Sequence, residues 1–92
     1  KIMQVRQTNS FKKAYKKYNS NQLCEINNAI QNIIDNPLIG VKKSGDLSKI
    51  YVFKTKILSQ LFLIAYTYEE ALLVLTFLVV GSHENFYRDL KR

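Results

Sequence analysis

A chain of 92 residues, 47% of them hydrophobic, is too short for two domains and too apolar for a disordered segment, so one domain over 1–92 with a modest core is expected. Fourteen Lys and Arg against seven Asp and Glu leave a formal +7, which suits nucleic acid, an acidic protein or an anionic surface as partner. One cysteine (Cys24) and one histidine exclude an intramolecular disulfide and a conventional zinc site, and an apolar region (57–80) broken by Glu69 and Glu70 excludes a membrane-spanning helix.

The opening "KIMQVRQT" alternates Ile2, Gln4 and Arg6 against Met3 and Val5, a strand pattern. In "NSFKKAYKKYNS", Asn9 or Ser10 can cap a helix that carries Phe11, Ala14, Tyr15 and Tyr18 on one face. Lys12, Lys13, Lys16 and Lys17 then fall on the other face. Ser20 or Asn21 starts a second helix with a stripe of Leu23, Ile26, Ile30, Ile33 and Ile34, and Cys24 is expected to fill the core between the two helices. Asn36-Pro37 ends that helix, because proline crowds the preceding residue out of helical geometry. Facing apolar stripes on consecutive helices predict a helical hairpin.

"PLIGVKKSGDLSK" reads as a loop in which Asp46 can cap a turn. Three strands follow, over about 50–57, 61–68 and 72–80, with short links at 58–60 and 69–71 suited to antiparallel hairpins. The last is apolar on both faces and belongs inside the sheet. After Gly81, Ser82 can cap a closing helix, with Glu84 near its positive end and Arg88, Lys91 and Arg92 near its negative end. The order β-α-α-β-β-β-α predicts an α+β domain, a helical hairpin packed on a four-stranded, largely antiparallel sheet. With no secretory leader in view, a soluble protein of the reducing cytoplasm is expected.

Three stretches, "GDLSKIYVFK", "LFLIAY" and "LVVGSHENFYRDLKR", together with the order, length and charge, resemble the RelE/ParE superfamily, the toxins of bacterial type II toxin–antitoxin modules. The ending is similar to the "GxHxxxY/F" close of HigB-like and YafQ-like members. The resemblance implies a ribosome-dependent endoribonuclease that inhibits translation without a metal or other cofactor, neutralised by an acidic antitoxin. Cleavage by this route uses the ribose 2′-hydroxyl as nucleophile. It needs a base for that proton, cations for the phosphorane charge and an acid for the leaving oxygen.

On that resemblance His83 is the acid–base residue and Tyr87, one turn on, stacks on or positions a base. Members often carry an arginine on the second hairpin strand, whereas "LFLIAY" has none, and Gly81-Ser82 stands where several have a basic residue. Lys54 and Lys56, alternate residues of the first hairpin strand, can supply that charge as points rather than forks. Lys12, Lys13, Lys16, Lys17, Lys42, Lys43 and Arg88 are candidates to contact ribosomal RNA phosphates, and Lys49 reads the same way. Each position also has an ordinary reading: a surface histidine starting a helix, a tyrosine packed on the sheet, lysines on solvated faces. Two other functions stay open, a ParE-like non-enzymatic inhibitor of DNA gyrase and a decayed toxin that only binds its antitoxin.

Overall fold

The structure, a computed structural model, describes residues 3–42 and 50–83. Its elements run β1 (Gln4–Gln7), α1 (Asn9–Lys16), α2 (Ser20–Asp35), β2 (Val41–Lys42), β3 (Tyr51–Ile57), β4 (Gln60–Glu69) and β5 (Val74–Ser82). They build one sheet in the order β1-β5-β4-β3-β2, with β1 parallel to β5 and every other pair antiparallel. The class is α+β as expected, and β5 does lie inside the sheet. There are five strands rather than four, because part of the expected loop pairs through Val41 and Lys42 with Val52 and Tyr51. The chain is helical at His83, and the rest of the expected closing helix lies outside the described residues, as does Asp46.

Helix α1 is capped one residue earlier than the sequence suggests, whereas α2 begins at Ser20 as expected. Thr8 caps α1: its hydroxyl accepts from Phe11 N at 3.1 Å and donates to the Leu78 carbonyl at 2.7 Å. That second bond holds α1 to a bulge in β5, where Leu78 and Val79 together oppose Ala65. Asn19 caps α2 in a reciprocal pair with Gln22, satisfying two amide groups that have no intrahelical partner.

Phe11, Ile26, Ala29 and Ile33 of the helices pack on Ile57, Phe62, Ile64, Tyr66, Leu75, Phe77 and Val80 of the sheet. Leu23, Ile30 and Ile34 are half-buried at the margin of that cluster, so the α2 stripe is as read, with Ala29 added. Cys24 is exposed and not in the hairpin core. It precedes Ile26 by two residues, about 200° around the helix, and so faces away from the sheet. The opposite face of the sheet carries a smaller cluster of Val52, Leu63, Ala65 and Val79.

Tyr66 explains why the chain after α2 runs beside β3. Its side chain is fully buried, stacked on Tyr51 with centroids 5.4 Å apart. Its hydroxyl donates to the Pro37 carbonyl at 2.7 Å and accepts from Gly40 N at 2.9 Å. A Cβ at position 40 would lie 2.7 Å from that oxygen, so only glycine allows the approach. Burial raises the phenol above its ordinary 10.0; the Gly40 bond opposes the rise and Tyr51 adds to it. A pKa raised in the folded state means a contribution complete below pH 10 and lost as pH climbs through the folded value. Tyr66→Phe should therefore lower stability by about 1–3 kcal/mol at pH 7, by leaving the Pro37 and Gly40 groups unpaired. It should also remove this residue's share of alkaline destabilisation, and urea melts at pH 7 and above pH 10 measure both.

Candidate active site

Lys54 and Lys56 are exposed, two residues apart in β3, and so share one face of the sheet. It is the face opposite the helices, since Val52 belongs to the cluster there and Tyr51 and Phe53 pack with the helices. Cross-strand register places Lys54 beside Leu63 and Leu63 beside Gly81. Lys56 is beside Leu61, in the next row toward the β3–β4 turn. Two strand spacings, roughly 10 Å, separate the Cα atoms of Lys54 and Gly81. Among the described residues neither lysine has an ion-pair partner.

His83 follows Ser82, which pairs with Phe62, so the imidazole emerges at the same end of the sheet as Lys56 and Leu61. It is exposed and shares an open cleft of about 310 Å³ with Ser59, Gln60, Leu61 and Ser82. An imidazole thus stands beside a neutral cleft, with two ammonium groups on β3, across β4 from the strand that leads to His83. Such a set can move a proton and stabilise an anion. Tyr87, Arg88, Lys43 and Lys49 lie outside the described residues.

Leu63 is wholly buried, so the interior of "LFLIAY" on this face is occupied by packing rather than by a cation. The helix lysines Lys12, Lys13, Lys16 and Lys17 are all exposed. The end of α1 approaches the cleft from the other face: Tyr18, next to Lys17, packs edge-on against Phe62 at 5.3 Å, and Phe62 pairs with Ser82. Lys42 is exposed but pairs with Tyr51, five residues along β3 from Lys56, which is roughly 17 Å. The structure therefore does not bring Lys42 to the cleft.

Ser59, Gln60 and Ser82 line the cleft without having been singled out as site residues. The short β3–β4 link is the sequence signal for Ser59 and Gln60, and Ser82 is read from sequence only as a helix cap. Among the described residues, no group of three or more His, Cys, Asp and Glu could hold a metal ion, and no helix is long and apolar enough to cross a membrane.

A family model described as a ParE-like toxin of type II bacterial toxin–antitoxin systems matches residues 5–91. Among solved structures, the chain is similar to the RelBE2 toxin–antitoxin complex of Mycobacterium tuberculosis, at TM-score 0.75 and 16% identity over 88% of this chain and 98% of that one. It is also similar to the intact Escherichia coli RelBE complex, at TM-score 0.69 and 18% identity over 87% of this chain and 95% of that one. The isolated E. coli RelE toxin matches at TM-score 0.69 and 17% identity, over 88% of this chain and 84% of that one. At these identities the likeness is one of fold. No curated protein matches the chain.

Proposed function

Because the chain belongs to the ParE-like toxins of type II bacterial toxin–antitoxin systems, we propose that it inhibits translation in the cytoplasm by cutting mRNA on the ribosome. The observation that supports this reading is that His83, in the cleft beside the β3–β4 turn, and Lys56, near the end of β3, stand at the same end of the sheet, with Lys54 one row further in. His83 takes the 2′-hydroxyl proton, the oxygen attacks the adjacent phosphorus to give a 2′,3′-cyclic phosphate, and the 5′-oxygen leaves with a proton taken from solvent water. Lys54 and Lys56 stabilise the charge that gathers on the phosphorane oxygens. Tyr87, four residues after His83 in the sequence, stacks on or positions a base. Lys12, Lys13, Lys16, Lys17, Lys42, Lys43 and Arg88 bind ribosomal RNA phosphates, which sets affinity and its salt dependence. An acidic antitoxin neutralises the +7 toxin, opposite charge speeding the encounter and buried side chains fixing its strength.

The absence of a cation from "LFLIAY" favours a second reading, non-enzymatic inhibition of gyrase. Induction of the protein in cells separates the two. Amino-acid incorporation should stop before DNA synthesis falls, with mRNA cut only where ribosomes are present. DNA breakage with intact mRNA would transfer the protein to the gyrase inhibitors.

A further inference from the structure

The β3–β4 turn is two residues long, because Ile57 pairs directly with Gln60. Leu58 and Ser59 stand at φ 52° and 69°, left-handed at both positions. A two-residue turn that follows the twist of its strands demands such angles, and Asn-Gly meets them with little strain. Leucine meets them poorly, since its Cβ crowds the neighbouring carbonyl. Strain of this kind gathers where a side chain is required for something other than the turn itself. Leu58 gives nothing to the core: it is 69% exposed, while Ile57 and Phe62 beside it are 1% and 2% exposed.

The cleft beside this turn divides the chemistry of the site in two. Its lining of Ser59, Gln60, Leu61 and Ser82 is neutral, His83 apart. Lys54 and Lys56 lie along β3 instead. Ammonium groups suit a phosphate, whereas an amide and a hydroxyl match the mixed donor and acceptor edge of a nucleobase. An apolar side chain suits the face of that base. The volume of about 310 Å³ falls at the lower end of small-ligand sites. Among the described residues, neither Ser59 nor Gln60 has a side-chain hydrogen bond that would hold it back.

We infer that the turn at Leu58 and Ser59, with Gln60 at the start of β4, is a base-contact element for single-stranded RNA, with Leu58 packed on the face of the base beside the cut and Gln60 and Ser59 bonded to its edge. This rests on the RNA-cleaving reading of the same site. The turn selects which phosphate reaches His83, and its strain is the cost of presenting Leu58 to the substrate. Leu58 and Gln60 are positioning residues and take no part in proton transfer.

The double variant Leu58→Asn, Ser59→Gly relaxes the turn and removes the contact, while Gln60→Leu keeps the turn and removes the amide. Both are compared with wild type on ribosomes programmed with mRNAs that vary one nucleotide at a time. The double variant should melt at a higher temperature, yet its KM should rise roughly ten-fold or more with kcat nearly kept. Gln60→Leu should melt as wild type does and lose preference for the base beside the cut. Wild-type KM and cut-site distribution in both variants, with wild type active, would overturn the inference and leave the RNA-cleaving reading intact. Intact mRNA after exposure to wild type would overturn both.

Discussion

His83→Ala is expected to cut ribosome-bound mRNA about a hundred-fold more slowly than wild type, or worse, and to unfold at the same temperature. The two halves of that result have separate causes. The imidazole is exposed and belongs to neither apolar cluster, so its removal opens no cavity and leaves no buried group unpaired. Proton transfer from a 2′-hydroxyl, in contrast, has no substitute among the cleft residues Ser59, Gln60, Leu61 and Ser82, none of which titrates near neutrality. His83→Gln sharpens the test, since an amide keeps polarity and similar size while lacking a nitrogen that can take a proton. Both variants should be non-toxic on induction and still bind antitoxin. A well-folded His83→Ala protein as toxic as wild type would leave His83 an ordinary surface histidine at the end of a strand.

The sequence made periodic features legible and long-range ones illegible. Phe11, Ala14, Tyr15 and Tyr18 share a face by helical spacing alone, and each is buried or half-buried. The alternation from Tyr51 to Ile57 likewise put Lys54 and Lys56 on one face. Cys24 was misplaced because small and apolar character outweighed its angle from Ile26. Strand β2 has two residues and no pattern of its own; it exists because Tyr66, 26 residues later, binds Gly40 N. The α1 cap falls one residue before Asn9 because Asn9 and Ser10 are as competent locally as Thr8. What chose Thr8 was the Leu78 carbonyl, 70 residues away. The cleft was hidden for a similar reason: Leu58-Ser59 lacks the Gly or Asn that marks a tight turn, so nothing drew attention to Ser59 and Gln60 beside His83.

Lys54→Ala and Lys56→Ala together should lower turnover roughly a hundred-fold or more while KM for programmed ribosomes changes little. The direction follows from where charge is needed. A phosphate in the ground state is held by many contacts, but the phosphorane gains charge only as the 2′-oxygen attacks, and only cations near that phosphorus feel the increase. With Leu63 buried and Gly81 without a side chain, the row through Lys54 contains a single cation, and the row through Lys56 passes Leu61 before the end of β5. No arginine on β4 shares the task, so the loss should be larger for the pair than for either alone. Both lysines are exposed, which keeps the fold out of the comparison. Alanine at Lys12, Lys13, Lys16 and Lys17 should act in the opposite sense, weakening ribosome binding and flattening its salt dependence while leaving turnover of bound complexes intact. Arginine at 54 restores charge with a planar fork, and recovery of turnover by Lys54→Arg would separate a charge effect from loss of a lysine stem packed on the sheet. Normal turnover in the double alanine variant would remove β3 from the chemistry and leave charge stabilisation to residues beyond Ser82.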